Sequence, residues 1–192
     1  MCKDVNIKNQ FKIFTVPGGV VKRIIIIAVV AFVITGTGVL LSQSVQKDIQ
    51  AQLILKIVAL DRNGGRFDDP IKIGVTSDAM LRALKRFNKQ TIKGKAFTVD
   101  LMTTLEDIAG YNVLYIDKNW KSNYNAACEK AIEKKAIMFC ASAEAVEVGE
   151  AGASFKTVLG KPKIVLNLKI LKKQAADFPA SLLQLATVVG NL

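Results

Sequence analysis

The chain has 192 residues, 51% of them apolar, and a net charge of +11. That excludes a disordered chain and leaves room for one ordinary domain plus an extra segment. It has no histidine, so the commonest general acid–base and metal ligand at neutral pH is missing, and an enzyme becomes a distant reading.

Residues 1–44 carry Lys3, Lys8, Lys12, Lys22 and Arg23 against Asp4; removing them leaves 22 basic and 15 acidic residues, a net +7. Lys22-Arg23 precedes an uncharged apolar run, Ile24 to Leu41, with small residues at Ser42 and Ser44. This layout is that of a signal peptide cleaved after Ser44 or of a retained N-terminal membrane anchor. Both place residues 45–192 outside the cytoplasm, with membrane contact only through the N-terminal segment. Export argues against nucleic acid as the partner of the basic surface and permits disulfides.

Val45 to Leu60 reads as a helix with Ile49, Leu53, Ile57 and Leu60 on its core face. Its second half is apolar on nearly every side, so Ile54 and Val58 are expected on a surplus apolar face that meets a partner or a second subunit. Asn63-Gly64-Gly65 ends it. Ile71–Thr76 is a short strand, and Ser77 caps a helix running to Lys89, with Arg82, Lys85, Arg86 and Lys89 on its outer face. Strand "AFTVDLM", a short helix over residues 104–109, strand "YNVLYID", a helix over Ser122–Lys135 and strand "AIMFCA" follow. "ASFKTVL" and "KIVLNL" form a C-terminal hairpin around "GKP". The last stretch reads as a short helix, a break at Phe178-Pro179 and an apolar helix reaching Val189. Alternating, nearly continuous apolar strands predict a single α/β domain over 45–192, a doubly wound, mostly parallel sheet with helices on both faces and the hairpin at its edge.

Candidate chemistry is sparse. No glycine run matches a dinucleotide or phosphate loop, and neither a metal site nor a cofactor is expected. Asp117 ends a parallel strand, where such folds hold ligands, although a turn or capping role is the commoner use. Cys128 faces inward on its helix and Cys140 lies near the end of the next strand. About 9 Å of helix rise against about 13 Å of returning strand puts them at nearly one level. They form either a disulfide or two reduced thiols in the core.

The C-terminal stretch "KIVLNLKILKKQAADFPASLLQLATVV" resembles the end of the YfiR-like family of small periplasmic proteins. Val165, Asn167, Leu168, Ser181, Leu182, Leu183, Leu185 and Ala186 carry the match. "QLILKIVALDRN", with Asp61, Arg62 and Asn63, is similar to the opening helix of a subgroup, and "DPIKIGVTSD" to its first strand. The resemblance covers residues 46–190. It implies a non-enzymatic regulator, a homodimer with disulfides, that acts by protein–protein contact on the periplasmic sensor domain of an inner-membrane signalling protein. The family's best-known member restrains a membrane diguanylate cyclase, hence a place in cyclic-di-GMP signalling. With cysteines for only one bridge in 45–192, redox control by a second bridge is not expected. Asp61, Arg62 and Asn63 join Asp117 as candidate binding residues. The alternative is a periplasmic small-ligand-binding module, because "IKIGVTSDAMLRAL" resembles the first strand and helix of solute-binding proteins. A two-lobed binder needs more than the 148 residues of 45–192.

Overall fold

The computed structural model describes residues 45–190; the expected export segment, residues 1–44, lies outside them. Among the described residues no helix is long and apolar enough to cross a membrane.

Helix α1 (Lys47–Leu60) leads through a 3-10 turn into strand β1 (Ile71–Val75). Helix α2 (Asp78–Lys85) and strand β2 (Phe97–Leu101) come next. Strand β3 (Val113–Ile116), helix α3 (Tyr124–Glu133) and strand β4 (Ile137–Cys140) continue the alternation. Helix α4 (Ala143–Glu147) precedes the hairpin of β5 (Ala153–Val158) and β6 (Lys161–Asn167). Helices α5 (Leu168–Lys173) and α6 (Ala180–Leu185) and strand β7 (Ala186–Val189) end the domain.

The seven strands form one sheet in the order β2-β1-β3-β4-β5-β6-β7, parallel throughout except for the β5–β6 pair. Successive side chains on a strand point to opposite faces, and the core divides accordingly. Val113 and Tyr115 of β3 and Ile137 and Phe139 of β4 join the cluster under α1 and α2. Leu114, Ile116, Met138 and Cys140, from the same strands, join the cluster under α3 and α4. The expected doubly wound α/β domain is therefore present.

Three features depart from expectation. Helix α1 buries Ala51, Ile54, Leu55, Ile57 and Val58, while Ile49 and Leu60 are 39% and 43% exposed. Ile54 and Val58 are 0% and 1% exposed; the expected partner-facing pair is core. The helix is apolar on so many sides that two stripes compete. The one spaced 51, 54, 55, 58 wins because it packs into the core cluster shared with α2 and the sheet. Second, the last helix stops at Leu185. Thr187, Val188 and Val189 are β-branched and favour a pleated surface, and β7 pairs with β6 from Ile164↔Ala186 to Asn167↔Val189, so the sheet runs one strand beyond the hairpin. Third, α4 is an additional helix that the sequence pattern does not announce. Ser142 caps it by accepting the Ala145 N–H at 3.2 Å.

Candidate functional site

Helix α1 runs against the strands, so its two ends mark opposite ends of the sheet. At its C-terminal end the Asp61 carboxylate is completely buried. It pairs with Arg66 at 2.7 Å and accepts the backbone N–H groups of Asn63 at 3.1 Å and Asp177 at 2.8 Å. Arg66 also donates to the Gln174 carbonyl, Asn63 to the Ala175 carbonyl, and Lys93 to the Asp61 carbonyl. Arg62 gives its N–H to the Asp177 carbonyl at 2.7 Å. The Asp61-Arg62-Asn63 triplet is a latch that joins the end of α1 to the turn before α6. Asn167, another residue of the resemblance, plays a similar part: it caps α5 through Ile170 N–H and donates to the Val146 carbonyl on α4.

The other end of α1 lies over the carboxyl edge of the parallel strands. The chain leaves β1 toward β2 on one side and returns to β3 on the other, which makes the β1–β3 gap the switch point where ligands bind in such sheets. Here that gap is stitched shut. Asp117 N–H donates to Thr76 Oγ1 at 2.8 Å and Asn119 Nδ2 to the Thr76 carbonyl at 3.1 Å. Lys47 reaches over from α1 to Asp117 Oδ2 at 2.7 Å and to the Tyr115 hydroxyl at 2.7 Å; Tyr115 in turn donates to Gln50 Oε1 at 2.8 Å. Burial opposes ionisation of Asp117, but the hydrogen bonds from Lys47 and Lys118 N–H outweigh it and hold its carboxyl below the usual range. Burial, then the Asp117 charge, pushes the Tyr115 hydroxyl far up, so it stays protonated and serves as a donor.

With the switch point closed, the cleft opens one strand further on, past the ends of β3 and β4. It holds about 280 Å³ and is lined by Gln50, Lys118, Lys121, Tyr124, Ser142, Glu144 and Lys156, among others. Ser142 donates to Glu144 at 2.7 Å, and Lys156 pairs with Glu147 at 3.3 Å. Ser142 is thus a helix cap whose hydroxyl is donated to a carboxylate. Glu144 is held below its usual range first by that hydrogen bond, with Lys118 and Lys121 adding to it. Tyr124 is 0% exposed, and its hydroxyl has no hydrogen-bond partner among the described residues.

Of the residues singled out in the sequence, only Asp117 reaches this region, and it is already occupied by Lys47. Asp61, Arg62 and Asn63 sit at the far end. Cys128 and Cys140 are buried free thiols in one core layer. Burial pushes them up to about 11 and about 12, which leaves both neutral at physiological pH. Among the described residues no cluster of three or more acidic or cysteine side chains is arranged to hold a metal. The sequence reading missed Lys47, Tyr115, Lys118, Lys121 and Tyr124 as a group. The available signal was a tyrosine inside each of two otherwise apolar buried segments, "VLYI" and the inner face of α3.

The fold is shared with solved proteins. An ABC domain from Streptococcus pneumonia, in complex with L-Trp, is 17% identical with a TM-score of 0.52; the match covers 72% of this chain and 60% of that one. A conserved domain protein from Vibrio cholerae O1 biovar eltor is 17% identical with a TM-score of 0.50, over 74% and 60%. The chain thus spans about 60% of the length of either neighbour. No curated protein matches the sequence. The family model described as YfiR/HmsC-like matches residues 47–187, almost the whole described domain, and the chain belongs to that family.

Proposed function

We propose that this protein is a non-enzymatic periplasmic regulator that acts by protein–protein contact on an inner-membrane signalling protein with a periplasmic sensor domain, of the diguanylate cyclase or sensor kinase type. The observation that carries the reading is the family match across residues 47–187. The surface supports it. With Ile54 and Val58 in the core, the candidate contact residues are apolar side chains left exposed elsewhere, and two of them lie near the edge strand β7. Leu159, at the tip of the β5–β6 hairpin, is 97% exposed, and Leu185, just before edge strand β7, is 67% exposed. Strand β7 reads Ala-Thr-Val-Val, with none of the charges that usually protect an edge from pairing. Leu159 also sits at a φ of 50°, a region that favours glycine and asparagine. A large apolar side chain at such a position and in water fits a contact surface better than it fits the turn.

The test is photo-crosslinking in living cells from positions 159 and 185. The expected adduct is a membrane protein with a periplasmic sensor domain, and deletion of the gene should change that protein's output. Absence of any such adduct from either position would defeat the reading. Two finer proposals go with it. A homodimer should appear in sedimentation of the purified protein. In the oxidising periplasm Cys128 and Cys140, which share one buried layer, would be joined, and unreduced protein should then resist alkylation after denaturation. Alkaline phosphatase fused after Leu192 should be active if the domain is exported.

A further inference from the structure

Two buried side-chain groups lack a hydrogen-bond partner among the described residues, Gln174 Nε2 and the Tyr124 hydroxyl. Gln174 serves the fold, since its Oε1 accepts Met138 N–H at 3.1 Å, and it lines neither the cleft at the carboxyl edge nor the one beside Asn63 and Asp177. The Tyr124 hydroxyl holds no such contact and lines the cleft at the carboxyl edge.

We propose that this cleft binds a small anion, an organic carboxylate or phosphate monoester, through the Tyr124 hydroxyl and the ammonium groups of Lys118 and Lys121. The inference stands apart from the regulatory reading and does not depend on it. Leaving a buried hydroxyl unpaired is costly, so such a group in a native structure calls for an explanation. The protein's own acceptors near Tyr124 are committed. Asp117 takes Lys47 and Lys118 N–H, and Glu144 takes the Ser142 hydroxyl. The nearby Ala141 N–H, donated to the Ile116 carbonyl at 3.0 Å, also bears on the Tyr124 oxygen, but as a donor it leaves the hydroxyl proton without an acceptor. The Tyr124 proton therefore needs an acceptor from outside. Lys118 and Lys121 follow from the next element: they stand on one 3-10 turn, Lys118–Asn123, and neither ammonium forms an ion pair within 4.0 Å among the described residues. The third cation, Lys156, is held by Glu147. The Glu144 carboxylate at the cleft already has a donor, while the Tyr124 hydroxyl has no acceptor and Lys118 and Lys121 act on Glu144 only from beyond ion-pair distance. That balance fits an incoming anion and offers little to a cation. The volume of about 280 Å³ lies at the small end of ligand pockets, which limits the guest to a small molecule.

The chain carries its own reporter. Its single tryptophan, Trp120, lies between the two lysines on the same turn. The experiment titrates purified full-length protein with sodium phosphate and with sodium succinate, against sodium chloride at matched ionic strength, and follows Trp120 emission. At least one of the two anions should give a saturable change absent with chloride. Tyr124→Phe should fold as well as the parent, because it removes only an unpartnered hydroxyl, and should weaken that anion's binding by about tenfold or more, the loss of a hydrogen bond to a charged group. The surface variant Lys118→Gln with Lys121→Gln should abolish it. No saturable response to either anion, or a response that survives Tyr124→Phe undiminished, overturns the proposal.

Discussion

The two ends of α1 hold two polar clusters that differ in one respect, whether every group has a partner. At Asp61 the buried carboxylate meets one guanidinium and two backbone N–H groups, and the cleft of about 430 Å³ beside it, lined by Asn63, Ala175 and Asp177 among others, is faced by no unpartnered buried side-chain group among the described residues. At the carboxyl edge the network of Lys47, Asp117, Tyr115 and Gln50 is equally well connected, but nearby Tyr124 has a buried hydroxyl without an acceptor, at a cleft where Lys118 and Lys121 form no close ion pair among the described residues. A complete cluster is accounted for by the structure it holds. An incomplete one points to something outside the chain. The difference separates residues that only the fold needs from residues that the fold could do without.

The largest effect should come from α1 itself. Ile54→Glu with Val58→Glu would put two carboxylates into the core, at a cost of about 5 kcal/mol or more. The thermal transition should collapse. An intact melt with a changed sedimentation mass would instead restore the face as an interface.

Next comes the latch. Asp61→Ala leaves the N–H groups of Asn63 and Asp177 without their acceptor and Arg66 without its counter-charge, and should cost about 3 kcal/mol in denaturant unfolding. Arg66 is partly exposed and can turn to water, so Arg66→Ala should cost more than a surface change only through the carboxylate it strands. A loss under about 1 kcal/mol for Asp61→Ala would mean that the cluster is not a latch.

The carboxyl edge should respond more gently, and through pH. Asp117 has a lowered folded-state pKa, so the stability it contributes is present above the ordinary carboxylate value near 4 and is lost as pH falls through the lower folded value. Lys47→Met removes the leading cause of that lowering. The drop in stability between pH 7 and pH 3 should therefore be smaller in Lys47→Met than in the parent. An unchanged drop would show that Lys47 and Asp117 are not coupled.

Smallest is Leu159→Asn. Leu159 and Gly160 have φ of 50° and 75° in a two-residue hairpin turn, a conformation that Asn-Gly favours. Stability should rise by about 0.5 kcal/mol, while crosslinking to the partner weakens. A variant that is less stable would show that this leucine serves the turn rather than a contact.

Much of the fold was legible because the signals were local. Strands β1 to β4 are short, apolar and β-branched or aromatic, and each is bounded by turn residues. The hairpin showed itself in "GKP" between two alternating runs. Placing Asp117 at the end of a parallel strand followed directly. The failures have a physical source too. In "LILKIVAL" almost every position is apolar, so periodicity could not say which stripe faced the sheet; burial of Ile54 and Val58 is decided by packing against α2 and the sheet. In "LLQLATVV" a helical run passes into a β-branched one, and pairing with β6 settles where the change falls. The cleft was hardly legible at all. Its lysines come from the turn after β3 and from β5, its tyrosine from α3, and its cap from the loop after β4. Only the sheet order brings these together.

The contrast between the two ends is tested most directly by one set of melts, taken on the parent, Asp61→Ala and Tyr124→Phe, each with chloride, phosphate and succinate at matched ionic strength. The account predicts that Asp61→Ala melts well below the parent in every salt. Tyr124→Phe should melt at or slightly above the parent in chloride, and phosphate or succinate should raise the melting temperature of the parent but not of Tyr124→Phe. If Tyr124→Phe loses as much stability in chloride as Asp61→Ala does, the hydroxyl is a structural group like the Asp61 carboxylate, and the distinction drawn between the two clusters is wrong.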